Sequence, residues 1–209
     1  MKNSYVFLFV LLLCNAARAQ FNLGIKAVMN VSQISIEGNT SSARFGFAGG
    51  GYAEYSFNRQ IGLTAELLYN EKGGKETTSN TEIKTNLNYL SLPILFYFEP
   101  LQNLKLGLGP ELAFLLNAKA KGDSISTTDI KKYYESFDKA IAIGGSYSFG
   151  RLGITARYVG GFNGITTLTF TDPNSGGEVT KKAGSNRVIQ FALFYQLTQN
   201  KFSNPRANK

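Results

Sequence analysis

Residues 104–116 read LKLGLGPELAFLL, and this stretch alternates large apolar side chains with small or charged ones. The large apolar residues are Leu104, Leu106, Leu108, Leu112, Phe114 and Leu116, and Lys105, Gly107, Gly109, Glu111 and Ala113 fall between them. A period of two indicates a β-strand with one apolar face and one polar face. The stretch therefore predicts a strand that separates an apolar environment from a polar one.

Seven further segments show the same alternation, which makes eight candidate strands. They lie at residues 21–31, 45–57, 61–70, 87–99, 141–149, 152–162 and 189–197. An even number of strands is typical of antiparallel bacterial barrels. Pro93 and Pro110 lie inside two of the segments and have no N–H to donate, so we expect bulges or local breaks in the hydrogen-bond ladder there.

The connections between the segments alternate in length. Short links at residues 58–60, 100–103 and 150–151 alternate with long polar ones at 34–43, 73–86, 118–139 and 164–186. Aromatic residues mark both ends of the apolar face, with Phe21, Phe57, Phe98 and Phe149 at the short links and Phe45, Tyr69, Phe114 and Phe162 near the long ones. Tight periplasmic turns, long extracellular loops and two aromatic rings are typical of outer-membrane barrels. We therefore predict an all-β fold, an eight-stranded antiparallel up-and-down transmembrane β-barrel.

Periodicity alone does not decide which face points outward. A soluble ligand-binding barrel of the lipocalin type would turn its apolar face inward and its polar face to water. The alternating loop lengths, the two aromatic rings and an export signal favour lipid on the outside.

The N-terminus has the features of that export signal. Lys2 precedes an apolar run from Tyr5 to Cys14, and Ala17-Arg18-Ala19 forms a cleavage site of the small-residue type before Gln20. The run is about half of the ~20 residues that a transmembrane helix needs. We expect a signal peptide at 1–19, the barrel at 20–199 and a periplasmic tail at 200–209, with the mature protein in the outer membrane of a Gram-negative bacterium.

The composition argues against several classes of function. Removal of Lys2 and Arg18 from the 22 basic residues leaves 20 against 14 acidic ones, a net charge of +6. These charges are spread over loops and the tail, so we expect no nucleic-acid partner. The single cysteine, Cys14, lies in the signal segment, which leaves the mature chain no disulfide or thiolate metal site. The chain has no histidine. Barrel enzymes such as lipid deacylases and membrane proteases use histidine, so we expect neither an enzyme nor a cofactor.

With the apolar face toward lipid, six charged residues point into the lumen. They are Lys26, Glu54, Glu66, Lys105, Glu111 and Arg157. Side chains just fill the interior of an eight-stranded barrel, so buried charges there must pair. We expect a structural charge network. A narrow proton or ion path is the functional alternative, and two facing glutamates could in principle act as an acid and a base.

Two loop features have functional interpretations. In the third long loop, Ile130, Tyr133, Tyr134 and Phe137 recur at helical spacing. This spacing predicts a short amphipathic helix that covers the barrel mouth, lies at the headgroup level or contacts a partner. In the fourth, the segment from Asp172 to Glu178 is rich in oxygen ligands, but its spacing does not match a calcium-binding loop and we expect no metal there.

Three stretches carry a resemblance to a known family. Asn88–Phe98 reads NYLSLPILFYF, Leu106–Leu116 reads LGLGPELAFLL, and Tyr147–Gly153 reads YSFGRLG, followed by Ala156-Arg157-Tyr158. In these stretches and over essentially the whole mature length the chain resembles the PorT-like outer-membrane β-barrel family. The resemblance implies an eight-stranded outer-membrane barrel, and the family takes its name from a member linked to a protein-export apparatus.

These observations predict a noncatalytic outer-membrane barrel whose extracellular loops serve a structural, adhesive or assembly role. Its surroundings would be outer-membrane lipid, and its loops could contact other envelope proteins. A component of a protein-export or envelope-assembly machine is the second hypothesis, and a narrow ion or solute pore is the third. We expect a monomer.

Overall fold

The computed structural model describes residues 20–36, 39–78, 81–122, 126–171 and 178–198. The expected signal peptide at 1–19, the oxygen-rich stretch that begins at Asp172 and the expected tail at 200–209 lie outside these residues. Within the described ranges, no helix is long and apolar enough to cross a bilayer.

Eight long strands form one closed antiparallel sheet. They are β1 (Phe21–Ile36), β2 (Arg44–Ser56), β3 (Ile61–Thr78), β4 (Thr81–Leu101), β5 (Leu104–Gly122), β6 (Phe137–Phe149), β7 (Leu152–Gly161) and β8 (Ser185–Gln196). Each strand pairs with the next one along the chain. β8 pairs with β1 from Gln196 opposite Gly24 to Ser185 opposite Ser35, which closes the ring. The predicted eight-stranded up-and-down barrel is confirmed.

The outer surface of the barrel is apolar. Residues of the predicted apolar faces are exposed on all eight strands. The exposed fractions of Phe47 and Leu193, for example, are 68% and 65%. All eight residues of the predicted aromatic rings are exposed as well. A barrel in water would bury such side chains, so the apolar face meets lipid and the lipocalin-like alternative is wrong.

The two prolines interrupt the hydrogen-bond ladders as expected. The β3–β4 ladder is open at Pro93 and the β4–β5 ladder is open at Pro110, and the register is the same on both sides of each gap. A register shift occurs instead between Asn88 and Tyr89 of β4. A closed barrel therefore accommodates proline by leaving a local pair unformed.

Three strands continue far beyond the extracellular aromatic ring. We name the parts of β3, β4 and β5 beyond Tyr69, Leu90 and Phe114 the extension. β3 and β4 stay paired up to Thr78 opposite Thr81, so the predicted long loop at 73–86 is wrong. The sequence there is polar on both faces, which removes the alternation that identifies a strand.

At its base the extension turns apolar side chains inward, and these close the barrel mouth. Seven buried residues form this cluster, which we name the apolar plug: Ile34, Leu87, Tyr89, Ala113, Leu115, Ala118 and Ile165. The fourth long connection, predicted as a loop at 164–186, also contributes a two-stranded ribbon of Thr166–Thr171 and Glu178–Ala183. The extracellular end is thus packed rather than open.

The third long connection does not form the predicted amphipathic helix. It contains one 3₁₀ turn at Lys131–Tyr133. Ile130 and Tyr134 pack against the apolar plug, whereas Tyr133 and Phe137 are exposed. A three-residue turn followed by an extended chain separates side chains that a helix would place on one face.

Replacement of Leu115 tests the apolar plug. Leu115→Ala removes a fully buried side chain and should lower the free energy of unfolding by about 2–5 kcal/mol. Its neighbour Leu116 faces outward and is 36% exposed, so Leu116→Ala leaves no internal cavity and should cost less. Urea unfolding of the folded protein in micelles measures both, and equal losses would contradict a packed plug.

Candidate functional site in the barrel lumen

The charged residues of the lumen come from alternate positions on six of the strands. All six predicted residues point inside, where Glu54, Glu66, Glu111 and Arg157 are buried. The structure adds Lys72 and Asp138, which are also buried. Lys72 lies just beyond the predicted third strand and Asp138 lay in the predicted loop, so the sequence pattern placed neither in the lumen.

Glu66 is the centre of the first cluster. Its Oε1 lies 2.5 Å from the Lys26 ammonium, and its Oε2 lies 3.1 Å from Nη1 of Arg157. Arg157 also donates from Nε to the Gln190 side-chain oxygen at 2.8 Å. One carboxylate therefore balances two cations, and the cluster holds β1, β3, β7 and β8 together.

Glu54 is the centre of the second cluster, near the periplasmic end. It accepts hydrogen bonds from the Lys105 ammonium at 2.5 Å and from the Asn22 amide at 3.2 Å. The same ammonium stands 4.5 Å from the ring centroid of Tyr97, whose hydroxyl lies 2.7 Å from the Ser56 hydroxyl. The aromatic ring provides a second favourable contact for the cation.

Lys72 is the centre of the third cluster, directly below the apolar plug. Its ammonium lies 2.9 Å from Oε1 of Glu111 and 3.1 Å from Oδ2 of Asp138. It also stands 5.1 Å from the ring centroid of Tyr89. Asn186 donates to the same Asp138 oxygen at 2.9 Å. Here two carboxylates share one cation.

A chain of amides extends the first cluster across the barrel. Gln190 donates to Asn30 at 2.9 Å, Asn30 donates to Asn70 at 2.8 Å, and Asn70 donates to Ser91 at 3.1 Å. These side chains come from β8, β1, β3 and β4. Each amide both donates and accepts, so the chain satisfies polar groups that lie far from water.

The charges of the lumen balance. The four cations are Lys26, Lys72, Lys105 and Arg157, and the four anions are Glu54, Glu66, Glu111 and Asp138. The first cluster has one cation in excess and the third has one anion in excess. A neutral total avoids the large cost of an uncompensated charge in a dry interior.

One small cavity lies among the periplasmic-side residues. It has a volume of about 60 Å³ and is lined by Lys26, Glu54, Glu66, Lys105 and Arg157 among others. Such a space has room for a few waters, whereas pockets for small organic ligands have several hundred Å³. Among the described residues, no group of three or more histidine, cysteine or acidic side chains could hold a metal ion. The arrangement is suited to holding the strands of the barrel wall together.

The comparisons with known proteins agree with this architecture. A family model described as outer membrane protein beta-barrel domain matches residues 15–167. The crystal structure of Neisserial surface protein A superposes with a TM-score of 0.54 at 15% identity and covers 84% of this chain and 97% of that one. Ail, the attachment invasion locus protein of Yersinia pestis, gives a TM-score of 0.49 at 14% identity over 85% of this chain and 99% of that one. At 15% identity the likeness to Neisserial surface protein A shows the fold alone. A search of curated proteins found no match.

Removal of the Glu66 charge tests the first cluster. Glu66→Gln leaves Lys26 and Arg157 buried without a carboxylate partner, so we expect the free energy of unfolding to fall by about 3–5 kcal/mol. Urea titration in micelles measures the loss, and the double variant Glu66→Gln with Lys26→Met should recover part of it because one unpaired cation is gone. Glu76→Gln, which changes an exposed carboxylate on the extension, is the control and should leave stability unchanged. A Glu66→Gln barrel as stable as the wild type would show that the pair contributes nothing.

Proposed function

We propose that this chain, which belongs to the outer membrane protein beta-barrel domain family, is a noncatalytic barrel. It anchors the extension in the membrane and presents it outside the cell. The protein is a membrane-embedded outer-membrane barrel. Within the outer membrane, we propose that its role is structural, adhesive or connected with assembly. Cleavage of the export signal after Ala19 is part of the same proposal.

The extension is the observation that carries this proposal. Residues 70–78 of β3 continue as regular strand, and nine residues at ~3.3 Å each with a tilt of about 40° rise about 20 Å above the aromatic ring. Beneath it, the apolar plug fixes the extension to the barrel wall. A rigid, packed platform of this height supports presentation, because a partner would meet a preformed surface and not a chain that must first be ordered.

The lumen supports a noncatalytic role. Its carboxylates are held in ion pairs or beside cations, and the chain has no histidine that could act as a general base near neutral pH. The apolar plug separates the polar lumen from the extracellular side. We therefore place the activity of the protein on its surface, with no cofactor.

A component of a protein-export or envelope-assembly machine is the second candidate function. The stretches Asn88–Phe98 and Leu106–Leu116 favour it, because they resemble the PorT-like family. In that case the partner would be an envelope protein that contacts the periplasmic turns or the lipid-facing wall. Both candidates assume a monomeric barrel.

Conductance separates both candidates from the narrow-pore hypothesis. The wild-type barrel reconstituted in a planar bilayer should be silent, because the plug and the paired charges leave no continuous water path. Discrete conductance steps whose size or ion selectivity changes when Arg157 is changed to Ala would overturn the proposal and assign a pore through the lumen.

Site-specific photocrosslinking in living cells separates the two candidates from each other. A photoreactive amino acid at Thr77, exposed at the tip of β3, should give adducts with molecules outside the cell if the extension is the presenting surface. The same group at Arg59 in a periplasmic turn, or at Leu193 on the lipid face, should then give none beyond background. Stoichiometric adducts with envelope proteins from Arg59 or Leu193, and none from Thr77, would contradict presentation and support the machine.

A further inference from the structure

The outer face of the extension carries a row of lysines. Lys75 of β3 lies opposite Lys84 of β4, which in turn lies opposite Lys121 of β5. Like charges directly opposite each other on neighbouring strands destabilise a sheet. A row of three lysines therefore carries a repulsion that nearby anions would offset.

This row stands above the lipid-facing wall. Lys75 is six residues beyond Tyr69 and Lys84 is six residues before Leu90, so an even spacing places both lysines on the same face as the exposed aromatic ring. Six residues of tilted strand correspond to about 15 Å along the barrel axis. A lysine side chain reaches several ångströms toward the membrane from there. The Lys121 ammonium can therefore reach the headgroup layer of the outer leaflet, whereas those of Lys75 and Lys84 contact Glu82, which lies two residues farther from the membrane.

Three more lysines continue the row toward the membrane. Lys119 lies one row lower, opposite Asn86. Lys131 donates from its ammonium to the Leu116 carbonyl at 2.8 Å, and the ammonium of Lys132 stands 4.9 Å from the ring centroid of exposed Tyr133. We name Lys75, Lys84, Lys119, Lys121, Lys131 and Lys132 the lysine belt. It combines cations with an aromatic side chain, as membrane interfaces do.

Few carboxylates neutralise the lysine belt. Glu82 lies 2.8 Å from the Lys84 ammonium and 3.5 Å from that of Lys75. The hydrogen bond from Lys84 lowers the pKa of the Glu82 carboxyl, so one anion serves two lysines. Asp129 lies across from Lys119 in the sheet.

The other four lysines of the belt are not paired with carboxylates in the part of the chain that the structure describes. Among the described residues, no carboxylate oxygen lies within 4 Å of the ammonium groups of Lys119, Lys121, Lys131 or Lys132. The lysine belt therefore has a clear excess of positive charge.

We propose that the lysine belt binds the phosphate groups of an anionic lipid in the outer leaflet. The belt faces sideways over the apolar wall of β3, β4 and β5. The acyl chains of a lipid bound by the belt would lie against that wall. A ligand in solution would instead meet the tip of the extension. Clusters of four or more lysines at a membrane surface recognise phosphate-bearing headgroups through charge, and each lysine strengthens such binding about fivefold. Binding on one side of the barrel would orient the extension relative to the lipids around it.

Native mass spectrometry of the folded full-length protein in detergent tests this proposal. The probes are diphosphorylated lipid A and the same lipid after removal of both phosphates. The wild-type protein should retain the phosphorylated lipid preferentially. The triple variant Lys119→Gln, Lys121→Gln, Lys132→Gln should bind it about a hundredfold more weakly, because each lost lysine weakens binding about fivefold.

A double variant is the control for total charge. Arg59→Glu and Arg151→Gln lower the net charge by the same three units at two periplasmic turns, and this protein should bind like the wild type. Equal binding of both lipids by the wild type, or equal losses in the two variants, would overturn the proposal. If the belt variant does not fold, as judged by heat-modifiable gel migration, the salt dependence of lipid binding by the wild type tests the proposal. Its lipid binding should fall steeply as salt rises, and binding insensitive to salt would overturn the proposal.

Discussion

The pairing of β8 with β1 is the interaction on which the rest of the structure depends. A bilayer offers no water to an unpaired backbone N–H or C=O, so a sheet can cross it only when every strand has two neighbours. The ladder from Gly24 opposite Gln196 to Ser35 opposite Ser185 supplies the last set of partners. Once the ring is closed, each strand must send alternate side chains to lipid and to the lumen. The apolar wall and the polar interior both follow from that closure.

Closure of the ring also determines how charged side chains are stabilised in the lumen. Eight strands leave a lumen that side chains fill, so a charged group there exchanges water for other side chains. The neutral total of the buried charges meets this demand, and the amide chain through Asn30 and Asn70 joins strands on opposite sides of the ring. The first and third clusters are not neutral by themselves, since Glu66 balances two cations while Lys72 balances two carboxylates. The lumen is therefore one electrostatic unit, and its members come from strands far apart in sequence.

The outer face of β3 and β4 changes from apolar to polar where these strands leave the membrane. Below the aromatic ring, β3 and β4 turn apolar side chains outward and Glu66 and Ser91 inward. Above it, Leu87 faces the apolar plug while Lys75 and Lys84 face outward. The surroundings change from hydrocarbon to water across this boundary, so the face that is favourably apolar changes as well. The extension thus packs like a domain in water, and its outer face is free to carry the lysine belt.

The sequence by itself determined the strands inside the membrane, the closed barrel and six of the eight lumen charges. Each of these follows from a period of two, which is a local property that any strand with two unlike faces displays. Only the tertiary structure decided the extension, the apolar plug and the third charge cluster. Thr77 and Thr85 lie in strands whose faces are both polar, so no alternation marks them. Lys72 and Asp138 meet only because β3, β5 and β6 converge inside the ring, and Ile130 and Ile165 reach the plug from loops that lack the period of a strand. Contacts between residues distant in sequence depend on closure of the ring, so a local sequence pattern does not predict them.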